Sequence, residues 1–204
     1  ISNGEIVDSY STLVNPGIKI SERITNITGI TDDMVYGKPV ISEIIGDIVD
    51  FTKDMPILGH NVIFDYSFIK KAAVNSGLEF KKNGIDTLKL SRRLLPEVPH
   101  KTLEYLCEYF GIDAGNSHRA YDDALSAMKL YEKLHEIKPD DAGFEELIQL
   151  NYSAKKDSPI TAAQRKYLVA LTEKHGLEPV ENIDALTKSR ASKLIDNIIS
   201  NYGK

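Results

Sequence analysis

Apolar positions along the chain change period several times, and each change marks an element. Glu5–Val14 alternates through Ile6, Ser9-Tyr10 and Leu13-Val14, which predicts a strand stopped by Asn15-Pro16-Gly17. Ser21–Val35 is polar and turn-rich, with short helices expected over Glu22–Ile27 and Asp32–Val35. After Pro39, the residues Ile41, Ile44, Ile45, Ile48 and Val49 recur at the helical period. Pro56–Gly59 reads as a short apolar strand ending in His60-Asn61, followed by a helix from Phe64 to about Asn75 that Gly77 ends. Ile85–Leu95 predicts a strand edge running into a helix capped at Asp86 or Thr87. Thr102–Phe110 is a further helix stopped by Gly111, and Asn116-Ser117 are expected to cap a long one reaching Ile137. A short helix is predicted over Gly143–Leu150 and a polar linker over Ser153–Pro159. Two amphipathic helices follow, Thr161–His175 and Leu186–Asn201, with Thr161 and Thr187 as caps.

Strands alternating with helices predict an α/β layer structure. The expected organisation is a main domain over 1–137, a linker with a short helix over 138–158, and a small helical module over 159–204. With 42% apolar and 27% charged residues the chain has an ordinary globular balance, and no run approaches the roughly 18 apolar residues of a membrane span. The single cysteine, Cys107, excludes an internal disulfide and suits a reducing cytoplasm, the expected location. It lies on the stripe Leu103, Leu106, Cys107, Phe110, which predicts a buried structural thiol, and no Cys/His cluster has zinc spacing.

Charge changes the picture more. Residues 155–204 carry nine Lys/Arg against six Asp/Glu, a balance of +3, whereas residues 1–154 carry sixteen against twenty-four, a balance of −8. An acidic body of that size repels a polyanion unless bound cations invert the local field. If the partner is nucleic acid, a metal site is therefore expected.

Two acids stand out. Asp65 opens a helix expected to bury Phe64, Phe68, Ile69, Ala72 and Ala73, so its carboxylate projects from the apolar side. An unpaired carboxylate there would cost several kcal/mol, so it needs a partner. A helix cap is the plain reading and a metal ligand at a strand-to-helix edge the specific one. In His118-Arg119-Ala120-Tyr121-Asp122-Asp123 the apolar stripe is expected through Ala120, Ala124, Met128 and Tyr131, leaving Asp122 solvated and Asp123 on the flank. First-turn acids favoured by the helix dipole would account for both. His118 enters the helix five residues before Asp123, and an imidazole beside a divalent cation can accept a proton near neutral pH. His60 ends a strand beside Asn61, where α/β proteins place functional loops.

Gly59-His60-Asn61-Val62-Ile63-Phe64-Asp65-Tyr66-Ser67-Phe68-Ile69 and His118-Arg119-Ala120-Tyr121-Asp122-Asp123-Ala124 closely resemble motifs II and III of the DEDDh (DnaQ-like) 3′–5′ exonuclease superfamily, in its DNA polymerase III epsilon and PolC-type branch. Ile85–Leu88 and Lys101–Leu106 are similar to the segments between those motifs, and Leu13–Pro16 and Ile27–Thr31 to those upstream. The resemblance spans roughly residues 5–136 in consistent order, and His118 has the spacing of the histidine sub-branch.

That resemblance implies a ribonuclease H-like three-layer sheet with flanking helices and a metal-dependent 3′–5′ exonuclease acting on single-stranded or frayed DNA 3′ ends, in proofreading or repair. Two divalent cations, Mg²⁺ or Mn²⁺, are implied as cofactors, with Asp65 and Asp123 as metal ligands and His118 as the catalytic base. Thr28, Gly29, Ile30, Thr31, His60, Asn61 and Phe64 are implied to hold the terminal nucleotides. A DNA polymerase is an implied partner, and no membrane is.

The chain departs from the pattern in one respect: it contains no Asp-x-Glu of the kind that supplies the family's other two metal ligands. It opens at Ile1 with Ser2-Asn3-Gly4-Glu5 reading as a hairpin turn, so a fragment lacking its first strands is expected, and one nearly inactive alone. An RNA-trimming 3′–5′ exoribonuclease and a non-catalytic binding module stay open as alternatives. Outside the resemblance, the basic residues of 155–204 allow an auxiliary grip on nucleic acid, with a solvated charged surface as the simpler account.

Overall fold

The structure, a computed structural model, describes residues 1–2, 4–115, 119–180 and 182–204. It divides into two compact units, Ile1–Ala154 and Lys155–Lys204.

The first unit is built on a short mixed sheet. Its strands are β1 (Ile57–Gly59), β2 (Asn83–Asp86) and β3 (Ile148–Gln149), in the order β1-β2-β3. β1 and β2 run parallel with Leu58 opposite Ile85, and β3 joins β2 antiparallel with Ile148 opposite Gly84. Six α-helices that bear on the sheet and site are α1 (Glu22–Thr28), α3 (Ile41–Thr52), α4 (Val62–Asn75), α5 (Thr87–Leu94), α6 (Leu103–Phe110) and α7 (Ala120–Ile137), with α2 (Asp32–Val35) as a single turn after α1.

Successive strand residues point to opposite faces, so Ile57 faces away from Leu58 and its partner Ile85. Ile57 packs against a core of Ile45, Val62, Tyr66, Ala73 and Phe80 from the α3 and α4 side. Ile85 packs against Leu90, Leu106, Leu130, Leu134 and Phe144, drawn from α5, α6, α7 and the turn before β3. The sheet is thus covered on both faces, giving the helix–sheet–helix α/β layering of a ribonuclease H-like fold.

Cap chemistry agrees with the sequence at the start of α5 and at the end of α6. The Asp86 carboxylate accepts the Leu88 N–H at 3.0 Å and begins α5, and Thr102 Oγ1 accepts the Tyr105 N–H to begin α6. Gly111 ends α6 in the left-handed region at φ 65°, where a side chain would be strained. Cys107 is fully buried, as its stripe requires.

Three expectations fail. Glu5–Val14 is not a strand: Ser2 and Glu5 exchange backbone hydrogen bonds around the turn, but no strand among the described residues pairs with residues 6–14. A strand exists only through such a ladder. Gly143–Leu150 is not a helix either; Ala142–Phe144 forms a 3₁₀ turn and β3 closes the edge of β2. The long helix starts at Ala120 with Arg119 in the cap position rather than at Asn116-Ser117, which lie outside the described residues.

In the second unit, α8 (Ala162–Lys174) and α9 (Lys188–Tyr202) pack through Leu168, Leu171 and Ile195. Thr161 and Gln164 form a reciprocal capping box at the start of α8, and Thr187 Oγ1 accepts the Arg190 N–H at the start of α9.

Candidate active site

The carboxyl ends of β1 and β2 meet in a knot of polar contacts. Asn61 adopts the left-handed conformation at φ 69°, which turns the chain from β1 into α4. Its N–H donates to Asp86 Oδ1 at 3.0 Å, the same oxygen that caps α5. His60 Nε2 lies 2.6 Å from the Lys101 carbonyl and therefore donates to it, while Nδ1 meets Thr87 Oγ1 at 2.9 Å. Burial pushes the His60 imidazole below its ordinary range, with the Lys101 hydrogen bond opposing. Both ring nitrogens are thus held by the protein itself.

Beside this knot lies a cavity of about 700 Å³ lined by β1, the start of α4, the start of α6 and the first turns of α7. Asp65 and Asp123 both line it, each from the first turn of its helix. The Asp65 carboxyl is pushed up by loss of solvent first; a hydrogen bond to its own backbone opposes this, and the negative charge of Asp123 adds to it. Asp65 also reaches solvent, which partly screens the charge of Asp123. The two acids feel each other across a shared space.

Their helices present them differently from expectation. α4 buries Val62, Tyr66, Ala72 and Ala73, whereas Phe64 and Phe68 are 59% and 63% exposed and meet edge-on at 5.1 Å. Asp65 stands between the buried and exposed stripes, and Phe64 lines the cavity. On α7 the buried stripe is Ser126, Ala127, Leu130 and Leu134, not Ala120 and Ala124. Asp123 is four residues before Ala127, so it continues that stripe instead of flanking it. Asp122 is half-buried against Gly115, not a freely solvated charge.

The remaining predicted residues separate into two places. His60 lines the Asp65–Asp123 cavity, and Asn61 turns the chain at its edge. Thr28 and Ile30 line a neighbouring cavity of about 740 Å³ with Arg119 and Tyr121; Ala120 borders both. Gly29 caps α1 at φ 66°, and Thr31 stands before α2. His118 lies outside the described residues. Periodicity and motif spacing gave no prominence to Glu104 and Thr102, which line the first cavity from the start of α6. Their signal was available, since Thr102 caps α6 and puts Glu104 in its first turn.

A pair of like charges facing one cavity suits a divalent cation, which would offset their repulsion. The fit is partial: among the described residues no group of three His, Cys, Asp or Glu side chains gathers as a metal site.

Residues 1–131 match the family model described as Exonuclease (RNase_T). The chain belongs to that exonuclease family. This exonuclease-family chain is 40% identical over 141 residues to the DNA polymerase III PolC-type protein of Caldanaerobacter subterraneus subsp. tengcongensis, covering 67% of the chain and 10% of that protein. It is 36% identical over 137 residues to the DNA polymerase III subunit epsilon of Aquifex aeolicus, covering 67% of the chain and 68% of the subunit. The chain thus spans only about a tenth of the length of the PolC-type relatives it matches. A solved 3′-exonuclease described as recognising the 3′ end of a histone mRNA stem-loop superposes with a TM-score of 0.54 at 19% identity, over 74% of this chain and 76% of that one, and shares the fold. Residues 154–204 match a family of proteins of unknown function, DUF3072.

Proposed function

We propose that this chain belongs to a metal-dependent 3′–5′ exonuclease that removes nucleotides from DNA 3′ ends beside a DNA polymerase. The observation that carries the reading is the cavity shared by Asp65 and Asp123, with Asp65 held above its ordinary range partly by Asp123. The similarity to polymerase III subunits supports the DNA substrate and the polymerase partner.

In this reading Asp65 and Asp123 hold divalent cations, Mg²⁺ or Mn²⁺. Such ions, when bound, supply electrostatic stabilisation of the charge developing at a scissile phosphodiester. The residues around them do the rest. Phe64, exposed at the rim, offers a ring for a terminal base. His60, clamped at both nitrogens, fixes the wall of the cavity rather than exchanging protons. His118 is the proposed proton acceptor. Thr28 and Ile30, around the corner past Ala120, line the path of the adjoining nucleotide. Because the sequence holds no Asp-x-Glu to add further carboxylates, these 204 residues alone are proposed to turn over little.

Two measurements test this. Calorimetric titration of the chain with Mn²⁺ should show binding that Asp65→Asn and Asp123→Asn each abolish; Mn²⁺ binding insensitive to both would remove the site. In the longest natural polypeptide containing this chain, either substitution should slow release of 3′-terminal nucleotides by on the order of a hundredfold. Ribo-oligonucleotides competing better than deoxyribo-oligonucleotides there would move the substrate to RNA.

A further inference from the structure

A second cleft, of about 460 Å³, opens where β1 and β2 begin, the end of the sheet away from the acids. It shares no lining residue with the Asp65–Asp123 cavity. In a unit whose balance is −8, it gathers Lys70, Lys81 and Lys82 against one acid, Asp54.

Lys82 is the informative member. It is 8% exposed, and its ammonium donates to the Thr52 and Lys53 carbonyls at the end of α3. No carboxylate pairs with it among the described residues. Burial pushes the ammonium below its usual range, with the charge of Asp54 opposing. The face of the Phe80 ring, 5.4 Å from the ammonium, also offsets its charge, and the two carbonyls leave one of its three N–H groups. Lys70 is half-buried at the same cleft. Lys81 is ion-paired with Glu79 at 2.5 Å on the open surface and can exchange that partner at little cost.

The rest of the lining suits more than a bare anion. Tyr152 and Leu147, 44% and 47% exposed, add apolar side chains to the lining, while Asn83 and Asn151 offer amide donors and acceptors. The volume lies within the range of small-molecule sites, about 300–1,000 Å³. We propose that this cleft is a second, non-catalytic site for a phosphate-bearing nucleotide, with Lys70, Lys81 and Lys82 on the phosphate and Tyr152 against the base. The nucleotide is either a free nucleoside monophosphate or one unit of a bound strand. Charge-assisted contacts fix the phosphate, and ring stacking discriminates a nucleotide from phosphate alone.

Titration of the whole chain, in chelator so that the acidic cavity takes no part, separates these sources. The probes are dAMP, inorganic phosphate and a short single-stranded oligodeoxynucleotide. We expect saturable binding of dAMP that weakens about tenfold or more in Lys70→Gln/Lys81→Gln. Tyr152→Ala should bring dAMP down to the affinity of inorganic phosphate, and Asp65→Asn should leave binding unchanged. Saturation by the oligonucleotide but not dAMP, with the same lysine dependence, assigns the nucleotide to a strand. Binding of none of the three probes, phosphate binding as tightly as dAMP, or indifference to the lysine substitutions overturns the proposal. None of these outcomes depends on whether the exonuclease reading holds.

Discussion

The carboxyl of Asp65 rises for two reasons that can be separated by substitution, burial first and the charge of Asp123 after it. Asp123→Asn removes only the second. The midpoint of Asp65 should then fall part of the way towards the ordinary carboxylate range, read from its side-chain ¹³C shift against pH; an unmoved midpoint would mean the two acids do not share a field. The sign for stability comes from linkage. A carboxyl raised in the fold binds its proton more tightly there than in the unfolded chain, so its stabilising contribution is complete below the unfolded value and is lost as pH rises through the folded one. Asp65→Asn should flatten that part of the pH–stability profile. At this scale the first-turn positions of both acids were legible, because carboxylates beside apolar stripes are conspicuous in a sequence. Their orientation was less so. α4 carries one apolar row through Val62, Tyr66 and Ala73 and another through Phe64 and Phe68, and periodicity alone does not say which row meets the core.

Elements were legible where local chemistry decides them. The caps at Asp86, Thr161 and Thr187 and the stop at Gly111 arise from backbone hydrogen bonding within a few residues. They were illegible where a distant neighbour decides. Ile148–Gln149 becomes a strand because β2 offers it an edge, a fact absent from Gly143–Leu150. That junction is tight: a Cβ built on Gly84 would lie 2.9 Å from Leu150 Cδ1 and 3.1 Å from the Ile57 carbonyl oxygen. The leucine tip can shift, but the β1 backbone cannot move without disturbing the ladder. Gly84→Ala should therefore cost roughly 1–3 kcal/mol in urea unfolding. A neutral result would mean that β1, β2 and β3 are looser than their contacts imply.

At the scale of the molecule, the chain divides where its composition changes. Residues 151–158 hold no helix or strand and are mostly exposed, and the acidic unit ends and the basic one begins within them. Segments with few buried contacts open at small free-energy cost and are cut first. Limited trypsin digestion should thus cleave early after Lys155 or Lys156 and leave two resistant products with ends at that boundary. The products should differ in stability. The second unit has its own core of Leu168, Leu171 and Ile195, but a chain that short buries a smaller fraction of its surface than the first unit can. On heating, it should unfold first, and Thr161→Ala, which breaks its capping box, should lower that transition alone by a shift equivalent to about 1 kcal/mol. A single transition moved as a whole by Thr161→Ala would show instead that the two units fold as one.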